Sequence, residues 1–105
     1  MNPLKKHLEA LEGAVFDWLE LQSYEDASIE TQVQLRREAL MPGNMKAEMP
    51  EPYRLWRACE RHNKLFWDGG IADQPHILMM EFSACERATQ SFQKHIEKLR
   101  TKLHG

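Results

Sequence analysis

The sequence lacks the long apolar stretches that membrane insertion and export require. No apolar run approaches the roughly 20 residues of a membrane-spanning helix, and no apolar segment of signal-peptide length follows residues 1–7. Cysteine is also scarce, since Cys59 and Cys85 are too few for a disulfide framework. These absences predict a protein of the reducing cytoplasm that makes no contact with membranes.

Glycine and proline are few, with five of each among 105 residues, and most of them fall in two places along the chain. The remainder is therefore available for regular structure. Hydrophobic residues make up 42% and charged residues 29%, a balance typical of folded rather than disordered chains. Residues 1–105 are predicted to form one helical domain with its own core.

Catalytic motifs are missing as well. The glycine pair at 69–70 has no strand before it, and there is neither a nucleophile elbow nor a His-Glu-x-x-His zinc site. The nearest approach to a metal site is Cys59 with His62 and His76 with Cys85. Both cysteines fall on apolar stripes, where a free cysteine commonly acts as a small buried hydrophobe. We therefore expect no enzymatic activity, no cofactor and no metal.

The first 40 residues predict two helices. Asn2 can cap a helix that has Pro3 in its first turn. An apolar stripe follows at spacings of four and three residues: Leu4, Leu8, Leu11, Val15 and Trp18. The pattern falters near Ser23, which with Asp26 resembles the capping arrangement of a new helix. A shorter second helix is predicted from about residue 27 to 40, either separate or continuous through a bend. Its amphipathic pattern is weaker and consists of Ile29, Val33, Arg36 or Arg37, and Leu40.

Residues 41–52 interrupt the helical pattern and predict a flexible linker. Pro42-Gly43-Asn44 is typical of a turn, and Pro50 and Pro52 oppose helix because proline restricts the residue before it. Three methionines recur at intervals of four: Met41, Met45 and Met49. The segment is thus either a loop whose thioethers fill gaps over the core or a helical segment that binds a partner.

A third helix is predicted from Tyr53 to Trp67, ended by the 69–70 glycines, which accept the left-handed conformation of a C-cap. Its apolar side carries Leu55, Trp56, Cys59, Asn63 and Phe66, and its opposite side carries Arg54, Arg57, Arg61 and Lys64. Asp73 or Gln74 is expected to cap the next helix, with Pro75 in its first turn. This corner is expected to set the third and fourth helices antiparallel.

The strongest pattern lies in the last helix, predicted from about Pro75 to Leu103. Eight residues recur at alternating spacings of four and three: Leu78, Phe82, Cys85, Thr89, Phe92, Ile96, Leu99 and Leu103. This is a 3.5-residue repeat sustained for more than three heptads. The first half is broadly apolar, which predicts burial on several sides. The second half is a narrow stripe, which predicts pairing with a single helix.

Charge is unevenly distributed although the net charge is only −2. Residues 1–52 carry five Lys or Arg against ten Asp or Glu, and residues 53–105 carry nine against six. The row formed by Arg54, Arg57, Arg61 and Lys64 can follow nucleic-acid phosphates. It can also meet the acidic half of a neighbouring subunit. Nucleic-acid binding is therefore the alternative to protein binding.

The corner before the last helix carries a resemblance. Its residues Phe66-Trp67-Asp68-Gly69-Gly70-Ile71-Ala72-Asp73-Gln74-Pro75 combine a tryptophan, a Gly-Gly step and an Asp-Gln-Pro helix start. This segment of about ten residues resembles small helical proteins of the tail and morphogenesis modules of tailed bacteriophages. The resemblance implies a non-enzymatic assembly factor or minor structural protein, acting in the host cytoplasm, and it implies no site residues.

These patterns predict an all-α fold, a three- to four-helix bundle with a long amphipathic C-terminal helix. That helix extends about 40 Å at 1.5 Å per residue, beyond what the third helix covers. The first helix is expected to pack along it, from the same chain or from a second copy. A homodimer is expected, with an interface at Trp67, at Leu4, Leu8 and Leu11, and at Phe92, Ile96, Leu99 and Leu103.

The expected function is that of an assembly or chaperone-like protein that acts through protein–protein contacts. Two alternatives stay open at this point. One is a nucleic-acid-associated regulator that uses the basic helix face, and the other is a phage inhibitor of a host protein.

Overall fold

The computed structural model describes residues 2–65, 69–70 and 74–104, and this part of the chain is all-helical. Its four helices are α1 (Pro3–Asp26), α2 (Ile29–Arg37), α3 (Glu51–His62) and α4 (His76–His104). The prediction of an all-α fold with a long C-terminal helix is confirmed. No helix in these ranges combines the length and the apolar character needed to cross a membrane.

Helix α1 begins as the sequence predicts, because Asn2 Oδ1 accepts hydrogen bonds from the backbone N–H groups of Leu4 (3.0 Å) and Lys5 (3.4 Å). The suggestion that Ser23 with Asp26 caps a new helix is wrong. The helix continues without interruption to Asp26, and its buried face shifts to Leu21 and Tyr24. The polar residues of this turn therefore stay outside the core.

Helix α2 is capped by Ser28 and not by Ser23, since Ser28 Oγ accepts from the N–H of Thr31 (3.2 Å). Its apolar side also differs from the prediction. Ile29 is 78% exposed, whereas Leu35 is buried. Gln32 Nε2 donates to the Tyr24 carbonyl (2.9 Å), which holds the start of α2 against the end of α1.

Helices α1 and α4 pack against each other in parallel. Successive contacts join His7 to Glu81 (Nε2 to Oε2, 2.9 Å), Glu12 to Arg87 (Oε2 to Nε, 3.4 Å), Phe16 to Phe92 (ring centroids 5.8 Å) and Glu20 to His95 (Oε2 to Nε2, 3.1 Å). Each partner on α4 lies 74 to 76 residues after its partner on α1. A constant offset of this kind means that the two helices run in the same direction.

The core lies where α1, α3 and α4 meet. Its buried members are Leu8, Leu11 and Val15 of α1, Tyr53 of α3, and Ala84, Cys85 and Ala88 of α4. The three small residues of α4 let two helices approach it closely. All eight residues of the α4 heptad stripe are buried or half-buried. The polar member, Thr89, satisfies its hydroxyl on the Cys85 carbonyl (2.8 Å).

Helix α3 is antiparallel to α4, as expected. Tyr53 near its start packs among residues 84–88, whereas Cys59 lines a depression together with Met79. Its predicted end is wrong: α3 stops at Asn63, which takes a left-handed conformation (φ 52°). Asparagine tolerates this conformation. Phe66 and Trp67 lie outside the described residues.

Helix α4 begins at His76, directly after Pro75, whose carbonyl accepts from the N–H of Met79 (3.0 Å). Pro75 therefore precedes the helix and does not lie in its first turn. Gln74 is buried, and its side chain donates to the Gly70 carbonyl (3.2 Å). Asp73, the other expected cap, lies outside the described residues.

The segment between α2 and α3 is a loop, not a helix. Met41, Met45 and Met49 are 39%, 46% and 45% exposed, so none of the three belongs to the buried core. The loop is held to α1 by a hydrogen bond in which the Gly43 N–H donates to Glu20 Oε1 (2.9 Å).

Two substitutions on α1 test this packing. Val15 is fully buried, so Val15→Ala should lower the free energy of unfolding by about 2 kcal/mol.

Gly13 is exposed on the same helix, and a Cβ added there has no heavy atom within 4 Å. Gly13→Ala should therefore raise the free energy of unfolding by about 0.5–1 kcal/mol. Chemical denaturation measures both. Equal effects of the two substitutions would contradict the packing described.

The Cys85 thiol should make stability fall in alkali. Burial, reinforced by the charge of Glu81, raises the pKa of Cys85 from 9.0 to about 12. Between those values the unfolded chain loses this proton while the folded chain keeps it, so the free energy of unfolding decreases as pH rises. Denaturation at about pH 8 and about pH 10.5 should show a smaller loss for Cys85→Ala than for the parent chain. Equal losses would refute this role of the thiol.

Candidate interaction surface

Most residues of the predicted dimer interface are covered by packing within a single chain. Leu8, Leu11 and Phe92 are buried, and Leu4, Ile96, Leu99 and Leu103 are half-buried. The α1 stripe that pairs with α4 belongs to the same chain. Beyond it, Gln34 Nε2 of α2 donates to the Leu103 carbonyl (3.4 Å), so α2 reaches the end of α4. Trp67, the remaining predicted interface residue, lies outside the described residues.

The predicted basic row is exposed along α3, and its members differ in their partners. Arg54 forms a two-point ion pair with Glu51, one turn earlier on the same helix. The Arg54 hydrogen bond holds the pKa of the Glu51 carboxyl below its usual value. In the part of the chain that the structure describes, neither Arg57 nor Arg61 has an ion pair.

A groove between α1 and α3 brings three of these four cations together. We call it the α1–α3 groove, and its volume is about 430 Å³. Its lining consists of Trp18, Leu19 and Gln22 of α1, Met49 of the loop, and Tyr53, Arg54, Arg57, Ala58 and Arg61 of α3. Lys64 lies apart from it, in a separate depression between α3 and α4.

Two aromatic side chains give this groove an apolar wall. Trp18 is half-buried and packs against the core, and Tyr53 is buried within it. Burial raises the pKa of Tyr53, with Arg57 opposing the shift, so its hydroxyl stays protonated at neutral pH. The Tyr53 ring contacts Trp56 at 5.8 Å between centroids, which fixes its orientation.

The sequence pattern placed Trp18 on the apolar stripe of the first helix and did not indicate its place beside the arginines. It also missed Leu19, Gln22 and Met49 as groove residues. A usable signal was present, since Met49, Tyr53, Arg57 and Arg61 recur at intervals of four. That interval places residues on one helix face. Met49 precedes the helix but continues its line.

Glu20 holds the loop that leads to the groove against α1. Its Oε1 accepts from the Gly43 N–H (2.9 Å), and its Oε2 bonds His95 Nε2 (3.1 Å). His95 also packs on Phe16 at 5.3 Å between ring centroids. One carboxylate thus joins α1, α4 and the loop that leads to Met49.

The arrangement suits binding of an anion that carries an apolar group. Unpaired guanidinium groups at a rim form strong charge-assisted hydrogen bonds with carboxylates or phosphates. The aromatic wall offers contact area for an apolar side chain or a ring. Among the described residues, no three His, Cys, Asp or Glu side chains are grouped so as to hold a metal ion.

Comparisons with known proteins add no assignment to this geometry. The chain matches no known family model, no curated protein and no solved structure.

Proposed function

We propose that the protein is a non-enzymatic helical protein that acts through protein–protein contacts, and that its α1–α3 groove receives an acidic segment of a partner. The observation that carries this proposal is the position of Arg57 and Arg61 beside Trp18, both exposed and both without an ion pair among the described residues. Tryptophan, tyrosine and arginine are the residues that most often dominate binding energy at protein interfaces. All three types meet in this groove.

The size of the groove supports a short linear segment as its ligand. A volume of about 430 Å³ falls within the roughly 300–1,000 Å³ that is typical of ligand pockets. An aromatic or aliphatic side chain would lie against Trp18 and Tyr53. Flanking Asp or Glu residues would then reach Arg57 and Arg61.

A role in bacteriophage assembly is the specific form of this proposal. It rests on the resemblance of residues 66–75 to proteins of phage tail and morphogenesis modules. A chaperone-like or minor structural factor would hold an acidic segment of another phage protein until assembly. Inhibition of a host protein would use the same groove on a different partner.

Nucleic-acid binding is the second candidate, favoured by the combination of arginines with Trp18. Aromatic rings stack on unpaired bases, and arginines bind the backbone. The charge of the chain opposes it, because the net charge is −2 and Glu51 already neutralises Arg54. A protein segment that needs only two arginines suits the groove better than a strand that needs a continuous basic track.

Charge reversal in the groove tests the proposal. The probe is a labelled synthetic peptide with one central Phe flanked by Glu residues, compared with the same peptide carrying Gln for Glu. We expect fluorescence anisotropy to show tighter binding of the Glu peptide. The double variant Arg57→Glu with Arg61→Glu should weaken it at least tenfold, about 1.4 kcal/mol or more. Binding should also weaken as salt rises from about 0.05 to 0.5 M.

The matched control is Arg36→Glu with Arg37→Glu, which changes the charge equally at two exposed arginines of α2 outside the groove. This variant should bind the peptide like the parent chain. Equal affinity for the Glu and Gln peptides would overturn the proposal. Tighter binding of an oligothymidine strand, lost in the groove variant, would establish the nucleic-acid alternative instead.

A further inference from the structure

A second groove lies at the start of the α1–α4 pair, and we call it the N-terminal groove. Its volume is about 350 Å³. Its lining consists of Asn2, Leu4, Lys5, Leu8, Glu9 and Glu12 of α1 and its cap, with Met80 and Arg87 of α4. It shares no lining residue with the α1–α3 groove, so its role is independent of the function proposed above.

The floor of this groove is apolar. Leu8 belongs to the buried core, and Leu4 and Met80 are half-buried against it. Their outer surfaces face the open groove. An occupant that supplied apolar side chains would remove this surface from water, which favours binding in proportion to the apolar area covered.

The rim of the groove holds both signs of charge in equal number. Glu12 and Arg87 pair with each other at 3.4 Å. Lys5 and Glu9 are exposed, lie one helical turn apart, and have no ion pair among the described residues. A partner of a single sign would meet one attractive and one repulsive charge. The matching surface carries an anion opposite Lys5 and a cation opposite Glu9.

A second copy of the chain, rotated by 180°, presents this surface, because its own N-terminal groove then sets Glu9 towards Lys5 and Lys5 towards Glu9. We infer that a second copy of this chain docks on the N-terminal groove to form a twofold-symmetric dimer. In such a contact the same patch of both subunits meets, and the two α1 helices run antiparallel. An axis midway between Leu4 and Leu8 sets the half-buried Leu4 of each copy over the groove floor of the other. It also brings Lys5 of each copy within reach of Glu9 of the other.

This dimer differs from one formed along the α4 stripe. The stripe is already covered within the chain by α1, so it offers a second copy little apolar surface. The N-terminal groove retains apolar surface in the open. Because its apolar floor is small, the dimer should be weak and should form at micromolar to millimolar protein concentration.

Sedimentation equilibrium from about 10 µM to about 1 mM tests the inference. The parent chain should change from monomer to dimer over this range. Lys5→Glu alone sets two carboxylates against each other across the contact, and Glu9→Lys alone sets two ammonium groups against each other. Each single variant should therefore weaken self-association at least tenfold. Thermal unfolding of the dilute variants by circular dichroism verifies that both remain folded.

The decisive arm mixes the two single variants. In the mixed dimer, positions 5 and 9 of one subunit both carry carboxylates and the same positions of the other both carry ammonium groups. Both contacts between position 5 and position 9 are then attractive, so association should recover toward the parent level. The double variant Lys5→Glu with Glu9→Lys should dimerise by itself, because both of its contacts regain opposite charges. A parent chain that stays monomeric at about 1 mM would overturn the inference. So would single variants that associate like the parent, a double variant that does not recover, or assembly beyond the dimer.

Discussion

The parallel pairing of α1 and α4 is the constraint from which the path of the chain follows. Because α4 starts beside the start of α1, the chain must return along α1 before α4 can begin. Helix α1 has 24 residues and is about 36 Å long, whereas α3 has 12 residues and is about 18 Å long. Helix α3 thus covers only half of the return, and the loop before it covers much of the rest. The long connection between α2 and α3 is a consequence of the parallel pair.

The α1–α3 groove exists because of this return path. The returning loop is fixed to α1 where Gly43 meets Glu20, and it then delivers Met49 and α3 to the side of Trp18. Antiparallel packing of α3 on α4 buries Tyr53, which turns the arginines of α3 outward along the groove rim. The basic row and the aromatic wall are therefore two results of one packing arrangement. Glu20, although it lies outside the groove lining, ties the loop that leads to Met49 to α1.

Features that depend only on residues close together in the sequence were predictable. The Asn2 cap and the α4 heptad stripe are local, because one side chain or one periodicity decides them. The errors fall where tertiary contacts decide. Near Ser23 no strongly apolar residue lies at the expected spacing. Leu21 and Tyr24 are nevertheless buried, and the helix continues to Asp26. At Asn63 a left-handed residue ends α3 before the glycines are reached. Two features depend on contacts between residues far apart in the sequence, so no local pattern predicts them. These are the parallel direction of α1 and α4 and the fact that α4 packs on α1 of the same chain. The α1–α3 groove depends on both.

The separation of charge along the sequence takes on a structural meaning in this fold. Acidic α1 lies against the more basic α4, and the ion pair between Glu12 and Arg87 uses that difference. Helix α3 also belongs to the basic half but packs with its arginines turned away from α4, so Arg57 and Arg61 keep their charge available. An acidic residue close to them on α1 would have neutralised them, yet the α1 residues that line the groove are Trp18, Leu19 and Gln22. The fold therefore leaves positive charge beside aromatic surface at one groove and balanced charge around apolar surface at the other. The first arrangement is the basis for the proposed acidic partner, and the second is the basis for the proposed self-association.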